Sequence, residues 1–261
     1  RRRVPERPHR DESRIVFGRH PVVEALHAGA RVRQVLLANG IVRSGPIQEL
    51  VELAQRNQVS ISNISRAELD AMTFGAAHQG VAAMLAPLSF VTLEELVEAP
   101  RRRGEPALLL GLDEVQDPQN AGALLRTAHV VGAHGAILPE RRSSAFGAGI
   151  EKSSAGAVSY LPLCRVVNLV RALQTLRDGG LWIVGLDADS SRRYDHVDWT
   201  RPTIVVVGNE GRGLRRLVRE TCDDVVSIPM RGRIESLNAA VAGSLVLYEA
   251  WRARGFGDPE S

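Results

Sequence analysis

Cysteine is almost missing from this chain: Cys164 and Cys222 are the only two, far apart and without metal-ligand spacing. That excludes a disulfide framework and fits a reducing compartment. The seven histidines include no HxxxH or similar pair, so a metal site has no support. No apolar run approaches the roughly 20 residues that span a bilayer. Arg1–Arg10 contain no apolar h-region, so no secretory signal is expected either. The expected location is the cytoplasm. Aromatic residues make up only 4% of the chain, and the stretch 14–86 holds Phe17 and Phe74 without an RNP-like pair. Base stacking is therefore not expected to drive any nucleic-acid recognition, which leaves shape and phosphate reading. Lysine is represented by Lys152 alone, an Arg-for-Lys usage that reflects base composition rather than chemistry.

What is there suits a globular protein of two domains: 261 residues, 44% of them hydrophobic and 24% charged. The net charge of +3 is unevenly placed. Residues 1–10 carry five arginines against Glu6, a local +4, so residues 11–261 net to −1. Residues 1–13 read as a flexible basic arm, either a phosphate-attracting segment or a solubilising terminus.

Residues 14–86 alternate between helix and strand patterns. Pro21–His27 starts a helix, Val32–Leu37 reads as a strand, and Gly45–Arg56 places Ile47, Leu50, Val51 and Leu53 on one helical face. Val59–Ile64 and Val81–Leu85 read as strands, and Ser65 as the cap of a helix over Arg66–Met72. Thr92–Val97 reads as a short helix. The charged, Gly/Pro-containing stretch Arg101–Pro106 closes a linker over 87–106. From 107 to 261 the strands become near-continuous apolar runs: Ala107–Leu112, Ala136–Leu138, Leu181–Leu186, Thr203–Val207 and Val225–Ile228. Helical stretches at Asn120–Val131, Val167–Arg177, Leu214–Glu220 and Ser236–Arg252 separate them. The fold class is α/β, with a parallel sheet covered on both faces in the second domain.

An open parallel sheet binds ligands at the carboxyl ends of its strands. No GxGxxG follows the first strand of either domain and no GxxxxGK[ST] occurs, which argues against a nicotinamide dehydrogenase or a P-loop enzyme. Three other loops lie at strand ends: Asp113–Asn120, Gly208–Gly213 and Ile228–Asn238. Each runs from a strand into a helix, so the three can converge on one site.

Asn120 with Arg126 six residues on, the turn Gly208-Asn209-Glu210-Gly211, and Ile228-Pro229-Met230 followed by Ser236-Leu237-Asn238 resemble three ordered motifs. They are those of the SpoU, or TrmH-like, RNA 2′-O-ribose methyltransferases of the SPOUT superfamily. Val16–Leu26 and His78-Gln79-Gly80-Val81 resemble the opening and ending of that family's RNA-binding domain, which is similar to ribosomal protein L30e. The resemblance covers residues 14–252 and is strongest to bacterial 23S rRNA (guanosine-2′-O)-methyltransferases. It implies an L30e-like RNA-binding domain followed by an α/β-knot domain with a deep trefoil knot, a departure from the general avoidance of threaded loops. It also implies a homodimer formed through the knotted domain and S-adenosyl-L-methionine as cofactor. By motif match the cofactor would be held at Gly208, Asn209, Ile228, Met230, Leu237 and Asn238.

Methyl transfer to a ribose hydroxyl needs an aligned in-line geometry and removal of the hydroxyl proton. The resemblance marks Arg126 as catalytic. A guanidinium stays protonated, so Arg126 is expected to clamp phosphate and stabilise a developing alkoxide rather than act as a base. Glu210 could orient Arg126 or take the proton, or serve only as an acid favoured near a helix start. Asn120 could cap its helix and steer Arg126. Ser236 could cap the last helix or bond substrate, and Asn238 bonds substrate or cofactor. Arg231 and Arg233 are candidate phosphate contacts, and Arg19 and His20 candidate RNA contacts in the first domain. The same chemistry on tRNA, or on an rRNA adenosine as in thiostrepton-resistance relatives, stays open. So does a non-catalytic ribosome-assembly factor.

Overall fold

The computed structural model describes residues 14–27, 31–42, 45–86, 88–140, 150, 153–154, 156–232 and 236–256. The basic arm 1–13 and Arg233 lie outside them. The chain divides into two compact units, Arg1–Leu88 and Ser89–Ser261.

In the first unit, β1 (Arg14–Phe17), β2 (Val32–Ala38), β3 (Ser60–Ile64) and β4 (Val81–Leu85) form one sheet in the order β1-β4-β2-β3. β2 and β3 run parallel, and β4 is antiparallel to both β1 and β2. The period-2 alternation of strand side chains divides the core. Val35, Leu37, Val81 and Ala83 pack with α1 (Arg19–His27) and α2 (Pro46–Arg56) through Leu26, Ile47 and Leu50. Leu36, Ala38 and Ala82 face the other way and meet Leu69 of α3 (Arg66–Met72). Ser65 caps α3 as the sequence predicts, in a reciprocal box with Glu68. Those hydrogen bonds from Ser65 hold the Glu68 carboxyl below its ordinary pKa.

The stretch 87–106, read as a linker, contains helix α4 (Leu93–Arg103). A Thr92/Glu95 capping box starts it and Gly104, in the left-handed region, ends it. Leu96 is buried in the core of the second unit. The charges of Arg101–Arg103 are the solvated last turn of this helix, where cations favour the dipole, and not an extended connection.

Six strands build the second sheet in the order β10-β8-β9-β5-β6-β7, every pairing parallel. They are β5 (Leu108–Leu112), β6 (Gly135–Pro139), β7 (Leu163–Val166), β8 (Trp182–Leu186), β9 (Thr203–Val207) and β10 (Asp224–Val226). Leu109, Ile137, Ile183, Ile204 and Val206 face a cluster completed by α4, α6 (Leu169–Asp178) and α7 (Arg216–Thr221). On the opposite face, α5 (Pro118–Val130) packs against α8 (Ala239–Ala253). A methyl added at Gly243 would strike Leu124 and Val207, which is how closely α8 lies on α5 and β9.

Two strands, β1 and β7, carry no clear strand signal. Both are four-residue edge strands, and β7 buries only Leu163 and Cys164, so neither has the continuous apolar run of a central strand. β10 ends at Val226 rather than Ile228 because the Ser227 amide bonds to Arg192 O instead of continuing the ladder. The helix caps also differ from expectation. Asp117, not Asn120, caps α5, accepting from Gln119 N at 2.9 Å with Pro118 as first helical residue. Asn238, not Ser236, caps α8, accepting from Ala240 N and Val241 N.

Candidate active site

The three polar loops leave the carboxyl ends of β5, β9 and β10, and side-chain hydrogen bonds tie them together. Asn120, buried in the first turn of α5, donates through Nδ2 to Glu210 Oε1 at 2.9 Å. Its Oδ1 accepts from Asn238 Nδ2 at 2.9 Å. One amide thus joins the loop after β9 to the cap of α8. The role expected for Asn120 in capping falls to Asp117, which leaves its side chain for this bridge.

After β9 the chain closes into a small hairpin. Asn209 N and Gly213 O are 2.9 Å apart, as are Gly213 N and Asn209 O. Asn209 Oδ1 accepts from Gly211 N and Arg212 N, and its Nδ2 donates to Glu114 O at 3.1 Å. Gly208 is required by close approach. A side chain there would collide with backbone atoms of Gly213 and Leu214. The hairpin is anchored from beneath by Arg215, whose backbone N–H and Nε donate to fully buried Asp113 at 2.8 and 2.7 Å.

A cavity of about 280 Å³ lies between the hairpin, the end of β8 and the loop after β10. Gly208, Asn209, Glu210, Ile228, Met230 and Leu237 line it, as does Ser236. Asn238 and Asn120 are not among the lining residues and act as the bridge behind it. Arg126 is exposed on α5, also outside the lining, with no hydrogen bond or ion pair to any described residue. Neither Glu210 nor Asn120 therefore orients it within one chain. Arg231 is exposed beside the cavity loop.

Arg19 and His20 open α1 in the first unit, where Arg19 N donates to Gln79 Oε1 at 3.3 Å. Gln79 belongs to a turn held by His78, which is buried between Asp70 Oδ1 at 2.8 Å and the Gly80 amide at 3.0 Å.

The sequence reading missed Asp187 and Asp189, which line the cavity from the end of β8. The strand-end rule that found the other three loops applies equally to Asp187-Ala188-Asp189. It missed Asp113–Arg215 as well, since nothing local links residues 102 positions apart. Cys222 offers no reactive thiol: burial, then the Asp223 and Asp113 charges, push its pKa up to about 12.

The SpoU rRNA Methylase family matches residues 107–248. A second family, described as RNA 2'-O ribose methyltransferase substrate binding, matches residues 15–91. An uncharacterized tRNA/rRNA methyltransferase of Mycobacterium sp. (strain KMS) is 45% identical over 94% of this chain and 78% of its own length. YacO of Bacillus subtilis (strain 168), named as a TrmH family tRNA/rRNA methyltransferase, is 38% identical over 92% of this chain and 95% of its own. Among solved structures, the SpoU methyltransferase AviRb from Streptomyces viridochromogenes in complex with AdoMet superposes with a TM-score of 0.72. It is 29% identical, over 93% of this chain and 91% of that one. The chain belongs to the SpoU rRNA methylase family, a family of RNA methyltransferases.

Proposed function

We propose that this protein transfers a methyl group from S-adenosylmethionine to the 2′-hydroxyl of a guanosine ribose in 23S rRNA, in the cytoplasm. The observation that carries the reading is the Glu210–Asn120–Asn238 bridge, which holds all three motif loops around one cavity. The cavity suits the cofactor chemically. Leu186, Val207, Ile228 and Leu237 offer apolar walls for a base, the hairpin offers backbone donors and acceptors, and Asp189 offers negative charge for a cation, Asp187 being paired with Arg219 Nε at 2.7 Å. Bound there, S-adenosylmethionine supplies an electrophilic methyl group on a sulfonium centre.

The protein's own part is to position and to manage a proton. Glu210 stands at the cavity edge with Oε1 held by Asn120 and Oε2 3.3 Å from Asn209 Nδ2. Oε1 also accepts from the Asp117 amide at 3.4 Å, so Oε2 keeps the free lone pair and is the atom placed to accept a hydroxyl proton. Arg126, exposed and without a partner among the described residues, supplies a fixed positive charge for a substrate phosphate and a developing alkoxide.

In this reading the working unit is a homodimer formed through the second unit, whose fold is the α/β-knot with its deep trefoil knot. Val241, Leu245 and Tyr248 form an exposed apolar stripe at helical spacing along α8, and Val130 is exposed on the adjoining α5. Such a stripe favours burial against a second copy. That contact would bring Arg126 to a cavity from across the interface. The first unit is the L30e-like domain that docks RNA, with Arg19 and His20 at its helix start. RNA as the substrate class draws support from the names of the relatives.

The test is transfer of labelled methyl to 23S rRNA and to bulk tRNA by wild type and Arg126→Ala, with mapping of the 2′-O-methyl position. Label in a 23S guanosine that is lost with Arg126→Ala supports reaction, substrate and residue together. Label in tRNA alone, or in an rRNA adenosine, keeps the chemistry and overturns the substrate. No transfer to either RNA, or to ribosome-assembly intermediates, moves the reading to a binding factor on the same scaffold.

A further inference from the structure

Phe74 combines exposure and an unusual backbone within the first unit. Its side chain is 97% exposed, against complete burial for Leu69, the apolar residue five positions earlier in the same segment. Its backbone is an outlier too. Phe74 follows Thr73, the C-cap of α3, with φ 53°, in the left-handed region where that position favours glycine. Glycine stands one residue later, at Gly75 with φ 74°. A bulky aromatic in this conformation costs free energy, and full exposure returns none of it through packing.

The surrounding loop is not slack. Gly75 N donates to Asp70 O at 2.8 Å and Ala76 N to Thr73 O at 3.1 Å. The Thr73 hydroxyl donates to Leu69 O at 2.8 Å, and His78 ties the end of the loop to Asp70. The ring is therefore presented on a bonded loop, from which the chain runs straight into the His78–Gly80 turn that touches Arg19.

We propose that Phe74 is a stacking platform for an unpaired base of the RNA substrate. This rests on the reading that the first unit docks RNA and names what it docks: a segment whose bases are splayed out rather than paired. A solvent-facing π-surface held on a bonded loop matches a nucleobase, which brings its own π-face. Stacking of one base on an aromatic ring contributes about 1–3 kcal/mol. The low aromatic content argued against such a contact, because composition gives no warning that one of the two phenylalanines in 14–86 is held outward.

The experiment titrates the 261-residue chain with a 12-nucleotide single-stranded RNA and with a blunt RNA duplex of the same sequence. The proteins are wild type, Phe74→Ala, Phe74→Trp and Phe74→Gly. Single-stranded binding should weaken by about 5- to 150-fold in Phe74→Ala and Phe74→Gly. Duplex binding should stay within about twofold. Phe74→Trp should retain affinity, and its added tryptophan emission should be quenched by the single strand and not by the duplex. Phe74→Gly should melt no lower than wild type, since it relieves the positive φ. Unchanged single-strand affinity in Phe74→Ala, or equal loss on both RNAs, or no quenching in Phe74→Trp, overturns the proposal. Failure of wild type to bind either RNA removes the RNA-docking reading itself, and the stacking platform with it.

Discussion

Replacing Arg215 by alanine should strand a charge that water cannot reach. Asp113 is fully buried at the end of β5, while the Arg215 side chain is 45% exposed. The variant keeps the backbone N–H that donates to Asp113 Oδ2 and loses the Nε bond at 2.7 Å. Removing one partner of a buried pair costs about 3–5 kcal/mol. The exposure of Arg215 screens the pair and favours the lower end, about 3 kcal/mol. For a unit of this size each kcal/mol lowers the melting temperature by roughly 2–4 °C, so Arg215→Ala should melt about 6–12 °C below wild type. The damage belongs to the orphaned carboxylate, not to the lost arginine. Asp113→Asn should therefore cost less than Arg215→Ala, and the double variant should recover at least half the loss. Thermal melting and urea denaturation of all four proteins, analysed as a double-mutant cycle, measure this. A melting point for Arg215→Ala within about 2 °C of wild type would refute the argument. So would a double variant less stable than Arg215→Ala.

Gly208→Ala drives a methyl into the backbone of Gly213 and Leu214, whereas at Gly211 the nearest atom is Asn209 Oδ1 at 3.8 Å. Urea denaturation should show Gly208→Ala destabilised by about 1–3 kcal/mol and Gly211→Ala nearly neutral; equal effects would contradict the close approach. Cys222 is raised to about 12 by burial and neighbouring acids, and Cys164 is raised by burial and then by Glu94. Iodoacetamide at pH 8 should therefore label neither thiol in the native protein and both after unfolding, as read by mass spectrometry. Rapid native labelling of Cys222 would contradict its environment.

The elements with strong local signals were legible in the sequence. The limits of α3, β4 and β9 follow from a capping box or an unbroken apolar run, and the observed bounds match. What stayed hidden depends on distant partners. Asn120 looks like a cap because it opens a polar-to-apolar transition, but only the fold brings Glu210 and Asn238, 90 and 118 residues away, to its two amide atoms. α4 was half seen: Thr92–Val97 reads as helix, yet the arginines and Pro100 of its last two turns carry a linker's composition. Arg126 was found through motif resemblance and not through its surroundings, which give it no partner among the described residues.

Both ends of α8 are fastened to remote parts of the same unit. Asn238 at its start bonds to Asn120, and Arg254 just past its end donates to Pro106 O, Ala107 O, Trp199 O and Arg201 O, with no carboxylate in the set. Burial lowers the Arg254 pKa to about 10, leaving it cationic at neutral pH. These bonds span up to 148 residues of chain. On the ribosome, the second unit can lock only after its last helix has emerged, so strands made early must wait unsealed. High sequence separation of this kind slows folding. It also leaves the apolar surface of the second unit uncovered for longer during synthesis than that of the first unit, closed by residue 85.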